Sequence, residues 1–245
     1  MKKALVIFLY ALSGFAVLII AVVIVSSRSL PHGKEGAQAE ELTDKMLAAV
    51  NLPAWESLRY VKWTYRGKHA YVWDRWYNLA EIRFDDHRIL LNLNTLEGRA
   101  WHFEEQLTGE QKRALLQRAW EYWCNDSFWF NPIVKLRDEG TVRKTVDLGD
   151  EGMGLLVTFM EGGVTPGDSY LWILDEEGLP TAWRIWVSSL PVKGLRLSWE
   201  KWIEIEGAKI AQSHRIGPLE IKLSNVGSGD HHSDLGLAND PFTDF

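Results

Sequence analysis

The sequence predicts an α+β, mostly β fold. The expected form is a single strongly curved antiparallel sheet, a half-barrel of about ten or eleven strands. Two helices lie against its concave face, and one transmembrane helix precedes it. Three observations predict this. A long uncharged apolar run, Ala4–Ser26, opens the chain. The body alternates apolar and polar residues over short stretches punctuated by Gly and Pro turns. Two stretches instead repeat apolar residues at helical spacing.

The apolar run holds 23 residues without a charge. At 1.5 Å per residue it extends about 34 Å, enough to cross a ~30 Å hydrocarbon core. Secretory signals carry an apolar region of only about 7–15 residues, so residues 1–28 read as a retained signal anchor. Lys2 and Lys3 flank one side, Arg28 and Lys34 the other. With that charge nearly balanced, the very short N-terminal tail decides the orientation. It places the large domain on the periplasmic or extracytoplasmic side of an inner (cytoplasmic) membrane.

Residues 29–39 form a polar linker with Pro31, Gly33 and Gly36. The half-barrel domain is expected over 40–226. It opens with a helix at Glu40–Val50, where Leu42, Met46 and Ala49 share a stripe. Val61, Trp63 and Tyr65 then face one way along Arg59–Arg66, the first strand. Ala80/Ile82/Phe84 and Ile89/Leu91/Leu93 repeat the alternation. Thr108-Gly-Glu-Gln reads as a capping box that starts a second helix. That helix runs to about Trp123 and buries Leu115, Leu116, Ala119 and Trp123. Further strands follow at Val142–Val146, Leu155–Phe159, Tyr170–Leu174, Trp183–Val187, Leu195–Trp199, Ile203–Ile205 and Leu219–Leu223. The tail, 227–245, is polar and acidic, yet it carries Leu235, Leu237, Phe242 and Phe245. It is expected to dock on the body.

Charge and composition exclude several classes. Removing the four bases of the acid-free first 34 residues leaves 23 Lys and Arg against 33 Asp and Glu. A body with that acidic excess, and no basic stripe, is not a nucleic-acid binder. One cysteine, Cys124, excludes an intrachain disulfide framework and a multi-cysteine zinc site. Asp126 beside it would raise a thiol pKa, so a buried free cysteine is expected. Asp230-His231-His232-Ser233-Asp234, Asp85-Asp86-His87 and His102-Phe103-Glu104-Glu105 contain metal-competent side chains in no standard ligand spacing. No cofactor is implied, and no motif for a nucleophile elbow, zincin or P-loop occurs.

The 13 tryptophans are the unusual feature. Ligand cavities are mostly apolar with a few polar groups, and thick cores are filled by the same side chains. Trp63, Tyr65, Trp73, Trp172, Trp183 and Trp199 are the candidate ligand-binding residues. Trp73/Trp76 and Trp183/Trp186 are spaced by three, so on a strand their members face opposite sides.

LTDKMLAAVN (Leu42–Asn51), AWESLRYVKWTYRG (Ala54–Gly67) and GPLEIKLSNV (Gly217–Val226) resemble segments of the periplasmic lipoprotein-carrier-like half-barrels. That superfamily includes outer-membrane lipoprotein carriers, their receptors and anti-sigma-regulator domains. WCNDSFWFNPIVKLRDEGT (Trp123–Thr141) resembles uncharacterised secreted members of this type. The resemblance implies a hydrophobic cavity for acyl chains, or a protein-docking groove. The function expected is a membrane-anchored, non-catalytic module that binds or transfers an apolar ligand, a lipid or lipidated protein. A protein-interaction or sensory module of the cell envelope is the alternative, and a hydrolase the third reading.

Overall fold

The computed structural model describes residues 25–243 and 245. Apart from Val25 and Ser26, the apolar run lies outside them. Among the described residues no helix is long and apolar enough to cross a membrane. Helices α1 (Ala37–Ala49) and α2 (Leu52–Ser57) precede strands β1 (Tyr60–Tyr65), β2 (His69–Asp74), β3 (Leu79–Phe84), β4 (His87–Asn92), β5 (Gly98–His102) and β6 (Glu105–Leu107). Helix α3 (Gly109–Phe130) leads to β7 (Thr141–Asp147), β8 (Met153–Phe159), β9 (Asp168–Leu174), β10 (Pro180–Trp186) and β11 (Leu195–Ser198). The chain closes with β12 (Glu200–Ile205), β13 (Ala208–Ile216) and β14 (Leu219–Gly229).

The fold is mostly β, with few helices and large antiparallel sheets, but the expected single sheet is corrected to two. One has nine strands in the order β12-β13-β14-β1-β2-β3-β4-β5-β6, the other five in the order β11-β10-β9-β8-β7. Neither closes into a barrel. The division falls at Trp199, the one residue between β11 and β12. There the Trp199 amide still donates to Thr181 on β10, at 2.8 Å. The Arg215 amide of β13, however, donates to the Ser198 hydroxyl at 3.0 Å, where a ladder would use a backbone carbonyl. Lys201 then adopts a left-handed φ of 57°, while the pairs Glu200↔Ser213 and Trp202↔Ala211 on either side of it keep one register. A side-chain bond and a left-handed residue thus hand one continuous stretch of chain from one sheet to the other.

Alternation sets the inner faces. Val61, Trp63, Tyr71, Ile82, Phe84, Ile89 and Leu91 are buried against Leu115, Ala119, Trp123 and Phe130 of α3. In the five-stranded sheet Leu155, Val157, Trp172, Trp183 and Ile185 meet Met46, Leu47 and Val50 on and just after α1. Helix α3 has 22 residues, about 33 Å, and continues past the expected end at Trp123. Its Trp129 touches both cores, and Pro132 stops the helix beyond Asn131. Thr108 is its N-cap, but the hydroxyl makes no capping bond, so the expected capping box does not form.

Both outer faces are partly covered by chain ends. Leu235 and Phe242 of the tail are buried against Tyr60, Val72 and Leu90 of the nine-stranded sheet. Tyr60 donates its hydroxyl hydrogen to Asp240 at 3.2 Å, and Lys62 donates to the Leu235 carbonyl at 2.6 Å. At the other end of the chain, residues 27–34 cross the outer face of the five-stranded sheet as a strap. The Arg28 amide donates to Lys193 at 2.9 Å, and Lys34 exchanges backbone bonds of 2.9 and 2.8 Å with Thr145 on β7. The strap thereby covers an edge that would otherwise invite pairing with another chain.

Candidate functional site: a tryptophan-lined cleft

Three local features build a cleft beside the inner face of the nine-stranded sheet. Asn51, at φ 56°, caps α2, and Pro53 in its first turn suits a helix start. That short helix presents Trp55. Asp74 ends β2 and accepts the amides of Trp76 and Tyr77 at 3.0 and 3.3 Å. The resulting turn brings Asn78 back toward Trp73, whose indole N–H donates to the Asn78 side chain at 3.2 Å. On the opposite wall, α3 carries Trp120, Trp123, Ser127 and Phe130. The turn after Pro132 then swings Val134 and Lys135 over the mouth.

The cleft these residues enclose has a volume of about 200 Å³. Its walls are mainly aromatic: Trp55, Trp73, Trp120, Trp123 and Phe130. Asn78, Ser127, Asn131 and Lys135 supply polar groups. The walls are held from behind. The Arg75 guanidinium lies 4.5 Å from the Trp55 ring centre and 5.3 Å from that of Trp73. It also donates to the Leu58 carbonyl at 2.6 Å, and burial pushes its pKa below the ordinary value. Trp73 and Trp123 meet edge to face at 5.2 Å. Lys135 pairs with Asp138 at 3.2 Å at the solvent side.

Of the six residues singled out from sequence, Trp73 lines this cleft. Trp63 is stacked between Tyr71 and Phe130, with ring centres 4.6 and 4.5 Å away, and Tyr65 is buried in the same core. Trp172, Trp183 and Trp199 sit together in the second core, their rings 4.8–5.1 Å apart, around His214. They fill space between sheet and helix. Trp55, Trp120 and Trp123 were not among the six. Trp120 and Trp123, three apart on a helix, share a face; that spacing was the available signal.

A second polar group lies inside the same sheet. Asp126 of α3 is 1% exposed and accepts from the Tyr71 hydroxyl at 2.6 Å. His69 Nδ1 lies 2.6 Å from the same carboxylate oxygen, and Asn125 donates to the other at 2.7 Å. Burial raises the Asp126 pKa above the ordinary carboxylate range despite these bonds. The His69 ring is stacked on Tyr122 at 4.1 Å. Cys124 is half-buried, and its thiol is pushed up to about 11 by burial, so it is uncharged at neutral pH. His87 and His102 pair across β4 and β5 with rings 4.9 Å apart. Asp234 folds back to accept the His231 amide at 2.9 Å. Among the described residues no group of three or more His, Cys, Asp and Glu is placed to hold a metal ion.

No protein-family model matches the sequence, and the curated proteins hold no match to it. Among solved structures, the chain is similar to a DUF1329 family protein from Desulfovibrio piger ATCC 29098. The likeness covers 82% of this chain and 100% of that one, at 12% identity and a TM-score of 0.41.

Proposed function

We propose that the protein is a membrane-anchored, non-catalytic binding module of the cell envelope that takes an apolar group into the tryptophan-lined cleft. The observation that carries this is the cleft itself: an aromatic concavity of about 200 Å³ with a few polar groups. Its size bounds the ligand. A dry cavity of ~150 Å³ takes benzene, so this one suits a group of roughly six to eight carbons. The end of an acyl chain fits, and the remainder of a lipid would stay outside, its polar part toward Lys135. This is the lipid or lipidated-protein reading that the half-barrel resemblance implies, restricted to one segment of the chain. The uncharged run at the N-terminus supports anchoring, which would hold the cleft at high effective concentration beside a bilayer.

A second reading has its own observation. Trp76 and Tyr77, 64% and 65% exposed, flank the cleft on the β2–β3 turn. Exposed aromatics beside a side-chain-sized pocket also suit an apolar segment of a protein partner.

The test is photo-crosslinking of a diazirine-bearing octanoate to the full chain in lipid nanodiscs, with the label mapped by peptide mass. Labelling should concentrate in the peptides carrying Trp55 and residues 120–135, and Val134→Trp, which closes the mouth, should abolish it. Labelling that Val134→Trp leaves unchanged would remove the cleft as the site. Competition by a protein partner but not by free fatty acid would favour the second reading.

A further inference from the structure

We infer that one end of the five-stranded sheet, formed by the 160–167 and 187–194 loops, lies on a bilayer surface bearing anionic headgroups. This rests on the anchoring reading above and adds to it the face that the body turns toward the membrane. The tether is too short to let the body stand away from the membrane. The uncharged run ends at Ser26. At the next residue the chain is already fixed to the body: the Ser27 hydroxyl accepts the Lys193 amide at 3.2 Å. The Arg28 amide donates to Lys193, and the Trp186 indole donates to the Arg28 carbonyl at 2.8 Å. A Cβ on Gly194, at φ 72°, would stand 2.8 Å from that of Arg28, so the contact is as close as backbone permits. With no spacer, whatever surface receives residue 26 also receives the 187–194 loop.

The side chains at this end suit such a surface. β8 ends, β9 begins, β10 ends and β11 begins at this one end of the sheet, which brings the two loops together. Buried Asp168 ties them, accepting the Ser188 amide at 2.7 Å. Met160 and Val164 are 54% and 48% exposed in the first loop, and Val25, just before the strap, and Leu30, on it, are 85% and 44% exposed. Pro191 is exposed at the tip of the second loop, between half-buried Leu190 and Val192. Exposed apolar groups gathered at the point of chain entry match an interfacial surface.

The charge at this end suits it as well. Arg28 is exposed beside Trp186, and Arg184 lies on the same outer face, two residues before it on β10. Neither arginine has a carboxylate within ion-pair distance among the described residues. Glu161 is the single acid in the two loops, against Lys193. Unpaired guanidinium groups at a membrane face fit lipid phosphate, within reach of a Debye length.

The full chain, in a Cys124→Ser background, is reconstituted into vesicles of phosphatidylcholine and phosphatidylglycerol at three to one, and into phosphatidylcholine alone. A fluorescent donor is placed at Val164→Cys, Ser189→Cys or Glu177→Cys, with an acceptor on the headgroups. Glu177 is in the turn at the opposite end of the same strands, roughly 20 Å away. Energy transfer from positions 164 and 189 should exceed that from 177 at least twofold. The excess should shrink when phosphatidylglycerol is omitted, or in the Arg28→Glu/Arg184→Glu variant. Equal transfer from all three sites, in chain that floats with the vesicles, overturns the surface and leaves the anchor standing. Chain that stays behind on flotation overturns both.

Discussion

His214 on β13 is fully buried, with its ring edge-on to Trp199 at 4.2 Å. Its Nε2 lies 3.2 Å from the Trp129 carbonyl, which can only accept, so Nε2 carries the hydrogen. Nδ1 has no partner, and protonating it would place an unpaired charge in an aromatic core. Burial accordingly lowers the pKa from 6.5 to about 4. A base whose folded pKa is depressed lends stability that is present above its unfolded pKa and is lost as pH falls through the folded one. The window here runs from about pH 6.5 down to about pH 4, and the shift corresponds to roughly 3 kcal/mol. Urea titrations at pH 7.5 and 4 should show that loss, and His214→Phe should remove it from the pH dependence whatever the variant's stability at pH 7.5. An unchanged pH slope in the variant would mean that another group carries the acid sensitivity.

Among the elements, the C-terminal tail contributes more than its polarity implies. Phe242 and Leu235 cover the outer side of β1, β2 and β4, and the Arg88 side chain reaches the Pro241 carbonyl at 3.4 Å. Phe242→Ala should cost about 3 kcal/mol by loss of buried ring and the cavity left behind. Protease sensitivity after residue 230 should rise with it; a tail that stays protected would show that Leu235 suffices to hold it. The same covering explains what could be read from sequence. β1, β3, β4 and β8–β10 each carry an apolar stripe along the inner face, and they were legible by it even where, as in β9, the other face is buried too. In β2 one side holds His69, Tyr71 and Trp73 and the other Ala70, Val72 and Asp74, so neither side reads as the apolar one, although Tyr71 is buried by α3 and Val72 beneath the tail. β13 hides because it buries Ser213 and His214. The helix was expected to end near Trp123 because Asn125-Asp126-Ser127 breaks the apolar stripe, whereas Asp126 points inward to Tyr71 and His69. For the site, aromatic composition was legible. Which ring borders a void depends on what packs behind it: Trp63 lies against Phe130, whereas Trp73 faces the gap under Trp120.

At the scale of the whole molecule, two sheets with separate cores could melt separately, and three links argue that they do not. Helix α3 spans both cores through Trp129; β11 and β12 are one stretch of chain broken only at Trp199; and Leu52 and Ile221 border both clusters. The cores are tied by packing rather than by a linker, which favours one cooperative unit over two. Leu155→Ala, a fully buried truncation in the five-stranded sheet, should cost about 3 kcal/mol. Native-state hydrogen exchange distinguishes the cases by location. In a single unit, the slowest amides of β3 and β4 lose the same protection free energy as those of β8 and β9, although β3 and β4 belong to a different core from the mutation. Loss confined to β7–β11 would mean that the five-stranded sheet opens alone. The strap from residue 27 to 34 would then tie the uncharged N-terminal run to the less stable half, and the cleft under α3 would keep its shape while the 160–167 and 187–194 loops came apart.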